Sequence, residues 1–477
     1  MTDAKKVFHY FEEISRIPRE SGDEKAVAAY LVGFAKERGL EVHCDDHSNV
    51  IIKKPASVSD CTCAPVIIQG HTDMVYVRDD SCKIPYEDGV KLIYKDGWLM
   101  ADGTTLGADD GIAVAYALAL LDARDIPHPD LEAVFTTSEE IGCLGVSELD
   151  FGLLKGKYLI NLDTEEEGVF FTSCAGAFRN RLSIPIERET VSGLYGLSVG
   201  IRGLMGGHSG GDIHLEKANG IMLMSRILSE LGNKVRISSI EAAGKTNAIS
   251  TNAAAELFVE KAEIENIKAI IKRLECDFKR EYGNRDDISV ELRSAEKADV
   301  SCYTGESQKR AVSALSLLPN GVLGMSFNID GLVETSSNPG FIEQAENELI
   351  IHSLARSSIG SRKTEVKEKF AAIAALAGGE SVCSAEYPQW EYREASPLRS
   401  LAMESYRELF GKDAKAMAIH AGLECGFFDK MLESVDIISY GPDLQDIHTP
   451  KERANIASVE RIWTMTISIL DKLAKQI

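Results

Sequence analysis

The sequence contains no apolar run that reaches the about 18 residues a spanning helix needs, which argues against a helical membrane protein. Its opening stretch, MTDAKKVFHYFEEISRIPRE, lacks the continuous apolar segment of a secretory signal and reads as an amphipathic helix dotted with charges, so the chain is expected to remain in the cytoplasm. Positive charge is short: 52 basic residues face 74 acidic ones, for a net charge of -22. That balance repels phosphate backbones and anionic headgroups, and excludes nucleic acid and membrane surfaces as expected partners. Paired cysteines are lacking too. The ten cysteines are scattered, and only Cys61 and Cys63 come close, in a CxC spacing too tight for a CxxC zinc knuckle. Free thiols in a reducing compartment, structural or incidental, are the expectation.

What is present is ordinary globular material, with 44% hydrophobic and 26% charged residues. A length of 477 residues exceeds what one hydrophobic core usually supports, so two domains are expected, either in tandem or one inserted into the other. Helix and strand patterns alternate through the first part. Ser21 and Asp23 read as cap and first-turn residues of a helix reaching about Arg38 and ended by Gly39. EVHC, NVIIKK and PVIIQG read as strands, the last apolar on successive residues as in a sheet covered on both faces. DGIAVAYALALL is a helix, and AVFTT and YLINLD are further strands.

From about residue 180 the strands alternate apolar and polar and are separated by helical stretches, the texture of an antiparallel α+β domain. After about residue 385 the α/β texture returns. The expected architecture is therefore an α/β catalytic domain with a mainly parallel central sheet, built from residues 1–180 and 385–477, with residues 181–384 inserted as a lid.

The candidate chemistry lies where strands end. His71 and Asp73 follow PVIIQG, Glu139 and Glu140 follow AVFTT, Asp163 closes YLINLD, Asp109 starts a helix, and His448 follows a late strand. In open α/β sheets, ligands bind at that edge. Leaving Asp73 aside, these two imidazoles and four carboxylates without a thiol suit zinc, cobalt or manganese, and suffice for two ions with one bridging carboxylate and one carboxylate left as base. Two such ions, roughly 3.5–4 Å apart, polarise a carbonyl and activate a shared water. Glu139 would take that water's proton while its neighbour Glu140 binds metal, and Asp73 would accept the free imidazole N–H of His71. Taken singly, each piece has a plain alternative: HxD as a surface pair, SEE as a solvated helix start, DD as a helix cap, and Asp163 with Glu165–Glu167 as an acidic turn. At this level both readings stand.

Taken together, QGHTDMV, GADDGIAVA, TTSEEIGCLG, INLDTEE and DIHTP resemble the metal-dependent aminoacylase and carboxypeptidase superfamily, and within it the bacterial aminoacyl-histidine (Xaa-His) dipeptidases. The resemblance covers nearly the whole chain, including GLMGGHSGGDIH, KTNAIS, LARSSIGS and IHAGLECG. It implies that Asp109 bridges two divalent ions, foremost zinc, with His71 and Asp163 on one and Glu140 and His448 on the other. It also implies Glu139 as base, Asp73 as support for His71, and a cis peptide between Asp109 and Asp110. In the lid, it implies that His208 stabilises the oxyanion and that Asn247, Arg356 and Gly422 hold the substrate's carboxylate end. A closing lid brings such donors to the carbonyl only when substrate is bound.

His214 reads as structural. Related enzymes dimerise through the lid, and KANGIMLMSRILSELG is apolar enough for a dimer surface or for a core helix. Thr449 stands where relatives often carry serine and keeps the hydroxyl. The implied activity is hydrolysis of unblocked dipeptides, Xaa-His including β-alanyl-histidine. The competing readings are an N-acyl amino acid deacylase or broader aminopeptidase with the same site, and a non-catalytic peptide- or metal-binding relative.

Overall fold

The computed structural model describes residues 4–59, 61–80, 82–295 and 300–475. The chain forms two units, divided between Cys174 and Ala175 and again between Gln389 and Trp390, with Ile419–Gly422 joining the second. The sequence reading set these divisions at 180/181 and 384/385. They fall elsewhere because Val169–Cys174 is a strand of the first unit's sheet while Gly176–Pro185, one residue on, already runs in the second unit's sheet.

The first unit is built on an eight-stranded sheet, in the order Glu41–Cys44, Val50–Lys54, Leu131–Thr136, Val66–His71, Tyr158–Asn161, Asp436–Ser439, Val169–Cys174, Lys415–Ile419. The four strands from Leu131–Thr136 to Asp436–Ser439 run parallel; Glu41–Cys44 and Val50–Lys54 attach antiparallel. Every residue of Val66–His71 and Leu131–Thr136 is buried, which explains the successive apolar residues of PVIIQG. From Val66–His71 the chain pairs first on one side, at Leu131–Thr136, and later on the other, at Tyr158–Asn161. The carboxyl end of Val66–His71 is thus the point where the strand order reverses, the usual ligand crevice of such sheets.

Helix Ala108–Asp122 is buried on nearly all sides. It is held by the final helix Ile456–Ala474, where Tyr116 stacks on Trp463 at 6.0 Å and donates its hydroxyl hydrogen to the Val459 carbonyl at 2.8 Å. Gly70 makes the close packing on the strand possible: a Cβ there would lie 2.5 Å from Ala113 Cβ and 2.6 Å from Asp110 Oδ2.

One expected cap is corrected. The second helix is Lys25–Glu37, its N-cap is Glu24 with no side-chain cap hydrogen bond, and Ser21 instead donates to the buried Asp73 carboxylate at 2.7 Å. A charge-assisted bond to a buried carboxylate outweighs a solvent-facing cap. The helix does end at Gly39, in the left-handed region at φ 65°.

A small antiparallel sheet absent from the sequence reading joins Leu92–Lys95, Trp98–Ala101, Arg453–Asn455 and Leu444–Gln445. Its last two strands form a hairpin whose connection carries His448, held at φ 60°.

The second unit holds three antiparallel sheets, the smallest pairing Arg188–Val191 with Val300–Tyr303. The four-stranded one runs Arg236–Glu241, Ala253–Val259, Tyr195–Arg202, Ser289–Ala295; the five-stranded one runs Gly321–Met325, Val333–Gln344, Glu348–Ser357, Gly176–Pro185, Glu380–Tyr387. Helices Gly220–Leu231, Ile264–Tyr282, Gly305–Leu317 and Gly360–Ala377 complete one apolar core with them. Helix Gly220–Leu231 spends Ile221, Leu223, Met224, Ile227, Leu228 and Leu231 in that core, so its apolar face belongs to the unit's interior. The α/β sheet with parallel central strands and the antiparallel α+β unit are the expected fold class. Among the described residues, no helix is long and apolar enough to cross a membrane.

Candidate metal centre

Five of the residues singled out above converge within the first unit at the strand-reversal edge. His71 is the last residue of its strand, Asp163 stands two past Tyr158–Asn161, and Glu140 lies in the turn after Leu131–Thr136. Asp109 opens helix Ala108–Asp122 with non-helical dihedrals, and the Asp109–Asp110 peptide is cis. Asp109 Oδ1 is 3.2 Å from His71 Nε2, and its Oδ2 is 3.1 Å from His448 Nε2. His448 Nε2 also sits 2.9 Å from Glu140 Oε1, and His71 Nε2 3.8 Å from Asp163 Oδ1. Each oxygen of Asp109 thus faces a different imidazole.

The arrangement suits cations. Among the described residues, no lysine or arginine forms an ion pair with Asp109, Glu139, Glu140 or Asp163, and ligand atoms of His71, Asp109 and Glu140 lie within 4.8 Å of one another. His71, Asp110 and Asp163 form a second such triplet, bringing in Asp110, whose Oδ2 accepts the His71 backbone N–H at 3.2 Å. Against burial, the imidazoles of His448 and His71 hold the Asp109 carboxyl below its ordinary range, while Asp109 and Glu140 lift His448 to about 10. Burial, reinforced by Asp110, raises Asp163. Nitrogen and oxygen donors of this kind fit a borderline divalent ion, which imidazole binds in its neutral form.

Asp73 braces the centre on two sides. His71 Nδ1 lies 3.0 Å from the Asp73 backbone carbonyl and 3.4 Å from its Oδ1. The carboxylate also receives the backbone N–H groups of Glu139 at 3.0 Å and Glu140 at 3.3 Å. Against burial, its hydrogen bonds with His71 and Ser21 hold Asp73 at about 2. Asp73 therefore fixes the turn that carries both glutamates.

Among the described residues, no lysine, arginine or histidine forms an ion pair with Glu139. Burial raises its carboxyl, and the charges of Glu140, Asp109 and Asp73 add to that against the pull of His71. Its Oε1 accepts from the Cys143 thiol at 3.4 Å.

Three supports escaped the sequence reading. Arg19 is 2% exposed and donates to the carbonyls of Thr72 at 2.9 Å and Gly107 at 2.6 Å. Glu452 accepts the N–H groups of Leu106, Gly107, Ala108 and Asp109 at 2.8–3.3 Å, placing a carboxylate on the positive end of helix Ala108–Asp122. Cys143 touches Glu139 because its turn adopts the left-handed region, φ 56°. The SEE and DD motifs point to these places, but nothing local marks the partners.

The lid candidates gather within the second unit. Ser209 N–H donates to the Asn247 carbonyl at 2.9 Å, and His208 bridges to Ala248, so GGHSG lies along KTNAIS. The N–H groups of Gly210 and Gly211 donate to His208 Nδ1 at 3.3 and 3.0 Å, leaving Nε2 to carry the hydrogen of the neutral ring. A Cβ on Gly210 would sit 3.1 Å from His208 Cε1, 3.2 Å from Arg356 Nε and 2.7 Å from the His420 carbonyl, so these three surround it. Arg356 is 7% exposed and donates to the Tyr387 hydroxyl at 2.8 Å; among the described residues no carboxylate pairs with it. Gly422 packs on the Tyr387 ring, where a Cβ would come within 2.7 Å. His214 lies in a 3-10 turn outside this group.

His420 was not singled out. Buried beside Arg356, it bonds Ser336 Oγ at 2.7 Å, and burial with the charge of Arg356 pushes it down to about 3. Between its ordinary 6.5 and that value the unfolded chain takes up a proton that the folded chain does not, so stability falls as pH falls. Lowering the pH from 7 to 5 should cost the wild type about 2 kcal/mol more than His420→Gln. Parallel denaturant unfolding of the two would check this; equal slopes would contradict it.

The sequence matches peptidase family M20/M25/M40 over residues 67–472. The chain belongs to that family. It is a metal-dependent peptidase of the M20 type, a hydrolase. Over 467 residues it is 34% identical to the cytosol non-specific dipeptidase of Escherichia coli (strain K12), covering 97% of this chain and 96% of that protein. The aminoacylhistidine dipeptidase of Vibrio alginolyticus superimposes with a TM-score of 0.92 at 32% identity, over 98% of this chain and 96% of that one. A tripeptidase from Staphylococcus aureus subsp. aureus mu50 shares the fold, with a TM-score of 0.61 at 18% identity over 99% of both chains.

Proposed function

We propose that this M20 peptidase hydrolyses unblocked dipeptides, Xaa-His including β-alanyl-histidine among them, at a two-metal centre with Glu139 as general base. The observation that carries the reading is Asp109, one carboxylate oxygen toward His71 and the other toward His448. His71 and Asp163 complete one metal position, Glu140 and His448 the other. Two divalent ions, foremost zinc with cobalt or manganese compatible, supply Lewis acidity to the scissile carbonyl and the attacking water. Glu139 removes the water's proton and delivers it to the leaving amine, while Asp73 holds the Glu139–Glu140 turn still.

In the second unit, His208 donates its Nε2 hydrogen to the developing oxyanion, and Arg356 with Asn247 and Gly422 receives the substrate's free carboxylate. A buried guanidinium without an acidic partner among the described residues supports that role. The substrate class rests on the likeness to the two dipeptidases. A cytoplasmic homodimer associating through the second unit completes the proposal; light scattering tests its stoichiometry.

A panel of Xaa-His, other dipeptides, tripeptides, amidated dipeptides and N-acetyl amino acids tests the function. Dipeptides with a free carboxylate should be cleaved best. Deacylation without dipeptide cleavage would favour a deacylase, and binding without turnover in metal-replete protein would favour a non-catalytic relative. Arg356→Ala should raise KM for dipeptides by about 10–100-fold, the worth of a lost charged hydrogen bond. An unchanged KM would remove Arg356 from the carboxylate site.

A further inference from the structure

Beneath the candidate ligands, the parallel strands of the first unit carry a second row of polar side chains that the hydrolytic chemistry does not use. Gln69 stands two residues before His71 on the same face of its strand, Asn161 two before Asp163, and Thr136 three before Glu139. These three and Ser439, on the next strand, are at most 1% exposed. Neutral polar groups buried in strands as apolar as VIIQGH and YLIN are tolerated only when hydrogen-bonded.

They are bonded end to end. The Ser439 hydroxyl donates to Asn161 Oδ1. Asn161 Nδ2 donates to Gln69 Oε1 at 2.6 Å, and Gln69 Nε2 donates to Glu424 Oε2 at 2.5 Å and to Thr136 Oγ1 at 3.2 Å. The Thr136 hydroxyl donates to the same Glu424 Oε2 at 2.6 Å. The row therefore ends on one carboxyl, that of Glu424, at the N-cap of helix Cys425–Met431. Glu424 is 0% exposed, forms no ion pair among the described residues, and its Oε1 has no hydrogen-bond partner there.

We propose that Glu424 is a positioning residue of the peptidase reaction: its Oε2 ties Gln69 to Thr136 and so holds the strand ends that present His71 and Glu139 at one fixed separation. The inference rests on Glu139 acting as the base. Burial, with the nearby charge of Glu139 adding to it, pushes the Glu424 carboxyl up to about 8, so at neutral pH it serves as a neutral acceptor rather than a charge. A neutral amide of the same shape can then replace it, whereas a truncated side chain releases both donors. Displacements of the order of 1 Å at a distance from the chemistry cost about 100-fold in rate.

The test compares Glu424→Ala, Glu424→Gln and Thr136→Val with wild type, as kcat and KM for a dipeptide per folded molecule of equal metal content. Glu424→Ala should lower kcat by about 10–100-fold with KM within about 3-fold, and Glu424→Gln should restore kcat to within about 3-fold of wild type. Thr136→Val removes one donor without removing volume and should lower kcat by about 3–10-fold, which keeps the test open if Glu424→Ala does not fold. A merely structural role would lower the melting temperature and leave kcat per folded molecule unchanged. Wild-type kcat in Glu424→Ala, or in Thr136→Val if the former does not fold, overturns the proposal, as does a Glu424→Gln as impaired as Glu424→Ala. Glu139→Ala run in parallel separates the failures: if it stays active the base assignment falls, and if it is dead while Glu424→Ala is normal only the present inference does.

Discussion

Glu139→Ala is expected to lower kcat by about 10³–10⁴-fold while leaving two metal equivalents bound. Glu139 has no metal-type contact with His71 or His448, whereas Glu140, its neighbour, meets His448 at 2.9 Å. On the proposed mechanism, removing the carboxylate removes proton transfer and spares the proposed ligands. The Glu139 backbone N–H still reaches Asp73 at 3.0 Å, so the turn should persist. Single-turnover kinetics with metal analysis on the same sample would check it; near-normal turnover would sink the mechanism.

Asp109→Ala is the second large effect. Losing a partner outside the ligand set typically costs about 10–100-fold in metal affinity. Asp109 faces both imidazoles directly, so its loss should cost more at both positions, leaving at most one equivalent after gel filtration and kcat down by at least about 10³-fold. The melting temperature of Asp109→Ala should also rise less with added metal, because part of the stabilisation, about 4 kcal/mol per site at thousandfold saturation, disappears. A variant retaining two ions would show that Asp109 does not bridge.

Strand ends and acidic motifs were legible because they are local. PVIIQG and YLINLD announce buried strands by consecutive apolar residues, and the chemistry follows directly at His71 and Asp163. Val333–Gln344 was not legible: VETSSNPGFIEQ is polar and contains Pro339, which sits at a register shift where the missing N–H does no harm. Ser21 was misread because its partner, Asp73, is 52 residues away. Glu452 serves N–H groups some 345 residues earlier, and Glu424 meets Thr136 across 288, separations at which no spacing rule operates. The braces of the candidate site are tertiary, and composition at their own positions carries no trace of them.

The position of Asp436–Ser439, between Tyr158–Asn161 and Val169–Cys174, has a consequence for synthesis on the ribosome. After Asn161 emerges, about 275 further residues must follow before the strand that flanks it exists. At about 5–20 residues per second that is roughly 15–55 s during which the nascent sheet has an open edge. The second unit, with its own core, can fold within that interval. Truncation ahead of Asp436 should therefore leave an aggregation-prone edge rather than a smaller working enzyme.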